Sequence, residues 1–361
     1  MKILVYPRDP NPYQGLLYRK IINNVVIKYL EPPLNSNILG IILFPFQLVF
    51  NRILCYNIFH LHWTYNFKFP INNFFFNTVA TIYFLLCISF IKLLGYKLVW
   101  TVHNVLPHEK QFLNDVWARI FLSKLCDAKI VHSKSTIGEM RKLGLNTKNT
   151  YITSLGSYIG VYKNNITKES ARKYFKFNEK DFVFLFFGMI ELYKGVEDLL
   201  ETFKQLIKKR KNARLLIAGK CSNKDIKMKL DNYKIEFKED VKIYTEFIKN
   251  DEIQYYFNCA DVAVFPFKKI TTSSSVILAL SFGKPIICPE IGDLKELPNN
   301  IGFFYKPRNK KGLLNCMEKV ILNKEKLEKI GKNSFDYANS LSWDKIAEKT
   351  YNIYKNLESL K

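Results

Sequence analysis

The feature that most constrains this chain is a repeated alternation between short apolar runs and helix-length segments. Apolar runs of this kind, each followed by a polar loop, are typical of buried strands in a parallel sheet. Parallel strands need a crossover segment between them, and the intervening segments are long enough for helices. In the first part of the chain we interpret four runs as strands: Ile3–Tyr6, Ile58–Trp63, Lys97–Val102 and Ala128–His132.

The alternation is interrupted by a polar connection, residues 156–181, and then restarts. The restart begins with Phe182–Phe187, a continuous apolar run of the kind found in strands buried on both faces. We interpret the later runs as strands at Ala213–Ala218, Val241–Tyr244, Asp261–Phe265 and Pro285–Cys288, with helices at Lys168–Tyr174, Val196–Lys209 and Ser275–Ser281 and a helical tail from Leu313.

Two successive alternations predict an α/β chain with two doubly wound, Rossmann-like domains facing a cleft. We place the first domain at residues 1–160 and the second at 161–340. In sheets of this type ligands bind beyond the carboxyl ends of the strands. Polar residues that directly follow the predicted strands are therefore the first candidates for a functional site.

The chain is strongly basic, with a net charge of +23. Residues 1–160 carry 17 basic and 6 acidic side chains, so 11 of the 23 surplus charges fall in this acid-poor and apolar part. A surplus of this size attracts anionic partners. Basic residues interleaved with apolar segments fit an anionic membrane surface better than a nucleic-acid groove. We expect a membrane partner and no nucleic acid.

One apolar stretch, residues 69–91, contains no charged side chain and is long enough to span a bilayer. It also contains Pro70 and three asparagines, and it runs directly into the predicted strand at Lys97–Val102. We therefore favour a helix that lies in the membrane interface, or a buried core helix, over a membrane span. A second apolar stretch, residues 38–50, is predicted to share the same surface.

The cysteines and the amino terminus favour a cytoplasmic protein. Seven cysteines are scattered singly, and their odd number and the absence of any C-x-x-C pair argue against a disulfide framework or a zinc site. The first apolar run is too short for a signal peptide. We therefore expect a peripheral, monotopic protein on the inner, cytoplasmic face of the cell membrane.

The histidines cluster in one part of the chain. His60, His62, His103, His108 and His132 are its five histidines, and four of them lie at or just after predicted strand ends. This placement favours a polar site at the mouth of the cleft, although each histidine alone also fits a hydrogen-bonded core position. A metal site is not expected, because no paired helical histidines occur and few acids lie nearby.

A first phosphate-type signal follows the strand at Phe182–Phe187. Gly188 stands in the loop after the strand, and Lys194 with Gly195 opens the next helix. A lysine there can place a point charge on a diphosphate. The alternative is a solvated lysine at the start of a helix.

A second signal is a run of hydroxyl residues directly before an apolar helix. Small residues at a helix start leave backbone N–H groups available, and the positive end of the helix dipole adds to them, which together suit an anion. One helix cap needs one such residue, and this run has several. The candidates are Thr272, Ser273, Ser274 and Ser275, after Thr271.

Together these motifs resemble the GT-B glycosyltransferases, in the broad group of bacterial enzymes related to sucrose-phosphate synthase and the mannosyltransferases. The resemblance extends over nearly the whole chain, with the motifs in the family order. The stretches that carry it are HLHWTY (60–65), VWTVHNVLPHE (99–109), IVHSKST (130–136), FGMIELYKGVEDLL (187–200), LLIAGK (215–220), YFNCADVAVFPF (256–267), SSSVILALSFGKPIICPEIGDLKELP (273–298) and SLSWDKIAEKTYNIY (340–354).

The resemblance implies a nucleotide-sugar site in the second domain. On this interpretation Lys194 and the helix start at residues 272–275 hold the donor diphosphate, and Gly188 lets the backbone approach it. The donor is a UDP- or GDP-sugar, which is a substrate, so no cofactor is expected. The final segment, residues 341–361, is expected to form a helix that crosses back to the first domain.

The resemblance also implies an acceptor site in the first domain, for a glycan or a polyprenyl-diphosphate-linked acceptor of cell-surface polysaccharide or glycoconjugate synthesis. His103 stands at the family position that faces the transferred sugar. The further acceptor-side candidates are Asp9, His60, His62, Trp63 and Asn104.

The sequence departs from the family pattern at two places. Many relatives carry two glutamates around the second phosphate helix, where this chain has Ile270 and Leu278, and Met189 replaces a common arginine. A related subgroup of exopolysaccharide transferases lacks the glutamate pair, so we favour an inverting enzyme. Such a reaction needs a general base, and we predict His103 or Glu109. No D-x-D metal motif follows a strand, so we predict metal-independent transfer.

Two other functions remain open from the sequence. A nucleotide-sugar epimerase on the same fold would need acidic groups around the sugar, and the missing glutamates count against it. A non-enzymatic, basic nucleic-acid-binding module would present basic and aromatic residues on one surface. The strand–helix alternation and the placement of the charges count against that function.

Overall fold

The computed structural model describes the chain in six stretches: residues 1–9, 11–21, 23–30, 37–69, 71–107 and 109–359. His108 and Pro70, both considered above, lie outside the described residues. The chain divides into two compact units. Met1–Leu155 and Ser342–Lys361 form the first, and Gly156–Leu341 forms the second.

The sheet of the first unit contains six strands within the described ranges, and every neighbouring pair is parallel. The strands are β1 (Lys2–Tyr6), β2 (Val26–Tyr29), β3 (Ile58–Leu61), β4 (Lys97–Thr101), β5 (Ala128–Val131) and β6 (Thr150–Ile152). They lie in the order β2-β1-β3-β4-β5-β6. The helices between them are α1 (Pro12–Arg19), α2 (Asn37–Ile53), α3 (Phe74–Leu93), α4 (Asp115–Leu125) and α5 (Lys134–Lys142).

The second unit repeats this architecture. Its strands, again all parallel, are β7 (Phe182–Phe187), β8 (Ala213–Ala218), β9 (Val241–Tyr244), β10 (Val262–Val264), β11 (Ile286–Pro289) and β12 (Gly302–Tyr305). They lie in the order β12-β11-β10-β7-β8-β9. The helices are α6 (Lys168–Tyr174), α7 (Val196–Lys209), α8 (Lys224–Glu236), α9 (Ile253–Cys259), α10 (Ser274–Ser281), α11 (Lys310–Leu322) and α12 (Leu327–Ser340).

The last helix, α13 (Trp343–Ser359), belongs to the first unit. It packs its buried face against the sheet and α1, in a core cluster that contains Val5, Tyr18, Val99, Trp343 and Tyr354. The residues that end the chain therefore complete the core of the unit that begins it.

The predicted strands are all present, and those that the sequence did not reveal lie at sheet edges. β2, β6 and β12 each have one strand neighbour and are partly exposed. An edge strand needs no continuous apolar run, because one side of it faces away from the core. Central strands such as β3 and β7 are buried throughout, which is why their apolar runs were recognisable.

Helix α3 has two apolar faces. Ala80, Phe84, Cys87, Ile88 and Ile91 are buried in the core beneath the sheet. A second stripe is exposed and consists of Phe75, Val79, Ile82, Leu86 and Leu93. By length and composition α3 passes as a helix able to cross a membrane, with one third of its apolar window buried in the protein.

Candidate functional site

The histidines that follow the strands of the first unit form one hydrogen-bonded row. His62 Nδ1 lies 3.2 Å from His103 Nε2, and His103 Nδ1 lies 3.2 Å from His132 Nε2. At one end of the row His132 Nδ1 lies 2.8 Å from the Thr153 carbonyl oxygen. The carboxyl ends of β3, β4 and β5 are adjacent in the sheet, and this adjacency brings the three imidazoles together.

The carbonyl group fixes the direction of every hydrogen bond in the row. Because a carbonyl oxygen only accepts, His132 donates from Nδ1 and accepts at Nε2. His103 then donates from Nδ1 and accepts at Nε2 from His62 Nδ1. At the far end the Tyr18 hydroxyl lies 2.7 Å from His62 Nε2 and donates to it. The row is thus assembled from neutral imidazoles.

Burial keeps these imidazoles neutral. Desolvation, with the neighbouring imidazoles, holds the pKa values of His62 and His103 well below the usual range, and burial lowers the pKa of His132 to about 4. For His103, both ring nitrogens are engaged inside the row. It can accept a proton from a substrate only after one of these hydrogen bonds breaks.

His60 has a structural position. It is fully buried, and its Nδ1 lies 2.5 Å from the Tyr354 hydroxyl while its Nε2 lies 2.8 Å from Thr101 Oγ1. Burial lowers its pKa to about 3. His60 ties α13 to the sheet, so its placement differs from that of the other acceptor-side candidates.

A cavity of about 250 Å³ opens next to the histidine row. It brings together five of the residues singled out in the sequence: His62, Trp63, His103, Asn104 and Glu109. The Trp63 ring stacks on His103 with centroids 4.3 Å apart and planes inclined by 8°. The other residues that line the cavity are Thr64, Tyr65, Lys68, Trp100, Pro107, Gln111 and Arg119.

The remaining acceptor-side candidate, Asp9, stands one contact away from this cavity. Its Oδ2 accepts a hydrogen bond of 2.6 Å from the Tyr65 hydroxyl, and Tyr65 lines the cavity. Asp9 therefore orients a lining residue.

Glu109 is better placed than His103 to meet a ligand hydroxyl. Its side chain is 79% exposed and forms a 2.9 Å ion pair with Lys68. The hydrogen bond and the charge of Lys68 hold the pKa of Glu109 below its usual range. The carboxylate is consequently ionised at neutral pH and able to accept a hydrogen bond, although the same pairing makes it a weaker base.

Arg119 was not recognisable as a site residue from the sequence. It lies inside helix α4, and nothing in its local pattern distinguishes it from a surface arginine. In the fold it is 5% exposed and lines the same cavity. Burial lowers its pKa to about 10, so it stays charged at neutral pH.

In the second unit the two phosphate-type signals lie together. Gly188 has φ = 135°, and a β-carbon built on it would lie 2.5 Å from Ser275 Oγ. The loop after β7 thus touches the start of α10, and only a glycine fits at this point. Gly195 is similarly restricted, since its φ is 72° and a β-carbon would lie 2.0 Å from the Pro266 carbonyl oxygen.

Lys194, which precedes Gly195 in the chain, is a buried cation. Its Nζ lies 4.5 Å from the centre of the Phe267 ring and 5.4 Å from that of Tyr193, and burial lowers its pKa to about 8. No carboxylate within the described residues forms an ion pair with it. A buried ammonium that rests on aromatic rings favours an anionic ligand, which would restore its pKa.

The hydroxyl residues 272–275 have two kinds of position, one at the cap of α10 and the others next to it. Ser273 is the N-cap of α10 and accepts a hydrogen bond from the Val276 N–H at 3.3 Å, as the capping interpretation predicts. Ser274 and Ser275 occupy the first turn and are half-buried, as is Thr272 before them. One hydroxyl residue therefore caps the helix, and the others lie beside the first backbone N–H groups of the helix.

The departures from the family pattern are also visible here. Ile270 and Leu278 are both buried, while Met189 is exposed. An acid that the sequence analysis overlooked, Asp293, lies next to this segment and donates its backbone N–H to the Thr271 carbonyl at 2.9 Å. Burial raises its pKa to about 8, so near neutral pH its carboxyl is largely uncharged and does not repel an anion.

Among the residues that the structure describes, no group of three or more His, Cys, Asp or Glu side chains is arranged to hold a metal ion.

Comparison with known proteins finds a family match for the second unit. Residues 167–336 match the family model described as glycosyl transferases group 1. An uncharacterized glycosyltransferase of Methanocaldococcus jannaschii is 28% identical over 174 residues, which cover 47% of this chain and 44% of that protein. The lipopolysaccharide 1,2-N-acetylglucosaminetransferase of Salmonella typhimurium is 23% identical over 239 residues, which cover 64% of this chain and 62% of that protein. In both cases the chain spans less than two thirds of its relative.

Solved structures agree on the fold. HepE from Anabaena, in a crystal structure with UDP-glucose, superposes with a TM-score of 0.76 at 15% sequence identity, covering 100% of both chains. The predicted architecture of two parallel sheets with flanking helices is confirmed. Residues 167–336, within the second unit, therefore match the group 1 glycosyl transferases, and the chain has the GT-B fold.

Proposed function

We propose that this chain transfers a hexose-type sugar from a UDP- or GDP-sugar to a glycan or polyprenyl-diphosphate-linked acceptor. The observation that carries the proposal is the buried ammonium of Lys194, which forms no direct ion pair among the described residues, in the same unit as the contact of Gly188 with Ser275. The UDP-glucose bound to HepE and the lipopolysaccharide transferase among the relatives support a nucleotide-sugar donor and a cell-surface acceptor.

The donor diphosphate binds at the start of α10. Its oxygens accept hydrogen bonds from the first backbone N–H groups of the helix, and Lys194 supplies the positive charge. When the bond between the sugar C1 and the phosphate oxygen breaks, negative charge develops on the nucleoside diphosphate. Lys194 and the helix dipole stabilise this leaving group, so the reaction needs no metal ion.

The acceptor binds in the cavity of the first unit. Glu109 accepts the proton of the acceptor hydroxyl, and the oxygen attacks C1 of the sugar from the side opposite the leaving group. This displacement inverts the anomeric configuration. Trp63 provides an apolar face for a sugar ring, and the neutral row of His62 and His103 provides a rigid polar wall.

The protein acts at the cytoplasmic surface of a membrane. On α3 the exposed stripe of Phe75, Val79, Ile82, Leu86 and Leu93 is continuous along the helix. On α2 an equivalent exposed stripe follows helical spacing and consists of Ile42, Phe46, Val49 and Ile53. Apolar stripes on two neighbouring helices fit the boundary between lipid head groups and acyl chains.

This surface lies on the membrane and does not cross it. The opposite face of α3 is packed in the core of the first unit, with Phe84 and Ile88 fully buried. A helix that packs along its length on a water-exposed α/β unit cannot be surrounded by lipid. An acceptor with a polyprenyl tail would reach the cavity from this surface.

A nucleotide panel tests the proposal. Thermal unfolding is measured with UDP, GDP, ADP and their sugars, because a ligand far above its Kd stabilises the folded state by about 2–4 kcal/mol. We expect UDP or GDP and the corresponding sugar to raise the Tm in the wild type and in Lys208→Met, an exposed control. Lys194→Met should abolish this shift. Failure of every nucleotide to stabilise the wild type would refute the donor site.

A further inference from the structure

The cavity of the first unit contains a buried cation, Arg119, that forms no direct ion pair among the described residues; the nearest acidic influence on it comes from Asp115 in the same helix. Arg119 is 5% exposed, and in the described part of the chain no carboxylate forms an ion pair with it. Burying a guanidinium without a counter-charge is costly, since the desolvation penalty is not compensated by Coulomb attraction. A folded protein that accepts this cost usually gains a binding function from it.

Other arginines that are buried in this protein show the usual arrangement. Arg172 is equally buried and forms a 2.8 Å ion pair with Asp261. Arg214, which is mostly buried, pairs with Asp181 at 3.1 Å and with Asp240 at 3.0 Å. Arg119 departs from this pattern, and it is also the one of the three that lines a cavity with other candidate site residues.

Neutral partners hold the guanidinium of Arg119 in place. Nη2 donates to Thr64 Oγ1 at 2.7 Å and more weakly to Gln111 Oε1 at 3.5 Å. The Trp100 ring lies 5.7 Å from the guanidinium carbon. These contacts fix the orientation of the group without a direct carboxylate contact, and among the described residues Nε is buried without a hydrogen-bond partner.

A second cation stands in the same cavity. Lys68 lines it and pairs with the exposed Glu109. The cavity therefore carries two positive groups and one carboxylate, which leaves a net positive charge. Its volume of about 250 Å³ is below the usual range for a drug-sized ligand and suits one sugar ring with a small substituent.

We propose that Arg119, assisted by Lys68, binds an oxyanion carried by the acceptor, either a phosphate or a carboxylate on the sugar that receives the transfer. A guanidinium matches both oxyanions, because its planar fork donates two parallel hydrogen bonds. That the anion belongs to an acceptor rests on the proposed function. That the cavity takes an anionic sugar rests on Arg119 and its surroundings.

The two oxyanions are distinguished by direct binding measurements on the full chain. Glucose 1-phosphate, glucuronate, glucose and inorganic phosphate are titrated separately by calorimetry. We expect at least one of the two anionic sugars to bind at least tenfold more tightly than glucose, with an affinity that falls as salt is added. Tighter binding of glucose 1-phosphate assigns a phosphate, and tighter binding of glucuronate assigns a carboxylate.

Variants locate the site. Arg119→Met should weaken binding of the anionic sugar at least tenfold, and Arg119→Lys should retain part of it. Lys124→Met, which removes an exposed charge from the same helix, should bind as the wild type does. If Arg119→Met does not fold, Arg119→Lys and Lys68→Met carry the test.

The result of the sugar-binding test is independent of the result of the nucleotide-binding test on the donor site. Arg119→Met should keep the wild-type thermal shift with nucleotides, because Lys194 is untouched. Equal affinity for glucose and both anionic sugars, or wild-type affinity in Arg119→Met, would overturn the inference even if nucleotide binding is confirmed. If only nucleotide binding failed, the donor site would be refuted, and the proposal that Arg119 binds an anionic sugar would still hold.

Discussion

Gly188 and Ser275 approach each other so closely that a methyl group on the glycine would lie 2.5 Å from the serine Oγ. The loop after β7 and the start of α10 are 87 positions apart in the sequence, and this contact joins them. Gly188 also adopts φ = 135°, which side chains rarely tolerate. Backbone conformation and contact distance both require glycine here, and both shape the surface that is proposed to bind a diphosphate.

The first prediction is that Gly188→Ala destabilises the protein and weakens donor binding. The positive φ and the contact with Ser275 should together cost about 1–3 kcal/mol of unfolding free energy. Urea unfolding measures the loss. As a control, Gly138→Ala lies within α5, where a β-carbon meets nothing within 4 Å. It should leave the stability unchanged or raise it by about 1 kcal/mol. Equal stability of both variants would contradict the prediction.

The second prediction concerns the pH dependence of Lys194. Its pKa is about 8 in the folded state and about 10.4 in an unfolded chain. Between these values the unfolded chain binds more protons, so stability rises with pH across this window relative to Lys194→Met. Nucleotide affinity requires the ammonium and should therefore fall as pH rises through 8. Urea midpoints and nucleotide Kd values from pH 7 to 10 measure both trends.

The control for this titration is Lys208→Met, which removes an exposed lysine from α7. It should parallel the wild type in both measurements. A wild-type nucleotide affinity that stays constant up to pH 10 would show that Lys194 does not contact the diphosphate.

The sequence revealed the central strands and the loop that is proposed to bind the donor, because both depend on local patterns. Phe182–Phe187 is buried on both faces and reads as an apolar run, and Gly188 with Lys194 follows it directly. Arg119 could not be found in this way. Its environment is made by Thr64, 55 positions earlier in the chain, and by the Trp100 ring. Pairing and burial across such separations are set by the tertiary fold.

The histidines illustrate the same limit. Their positions after strand ends predicted a polar cluster, and the fold brings His62, His103 and His132 into one row. The sequence did not distinguish His60, which lies two residues before His62, inside β3, and bonds to Tyr354. A shift of one or two positions along a strand decides between a core position and a cavity.

The third prediction is that Glu109→Gln lowers kcat without weakening nucleotide binding. Loss of a general base costs about 10²–10⁴-fold in rate, whereas the donor contacts lie in the other unit. The companion variant Lys68→Met removes the partner that holds the pKa of Glu109 low. The pKa should rise, and the acidic limb of the pH–rate profile should move to higher pH. An unmoved limb would remove Glu109 from the mechanism.

The fourth prediction is that the buried histidines make the protein sensitive to acid. Their folded pKa values lie below the ordinary 6.5, at about 3 for His60 and about 4 for His132. The stability that the neutral, buried histidines contribute is therefore fully present above pH 6.5. It is lost as the pH falls toward the pKa values of the folded state. Urea midpoints should decline between pH 6.5 and 4. Less decline is expected in His132→Asn than in the wild type, once both are normalised to pH 7.

The fifth prediction is that Tyr354→Phe loosens the attachment of α13 to the sheet. The variant removes a hydroxyl that lies 2.5 Å from His60 Nδ1 in a fully buried site. His60 Nδ1 keeps the Tyr18 hydroxyl as a partner 2.9 Å away, so the loss of one buried hydrogen bond should cost about 0.5–1.5 kcal/mol in urea unfolding. Tyr351→Phe changes a partly exposed hydroxyl on the same helix and should cost less than about 0.5 kcal/mol. The difference between the two variants isolates the His60 contact, because both remove one oxygen from one helix. Equal losses would mean that the bond to His60 contributes nothing beyond an ordinary surface hydroxyl.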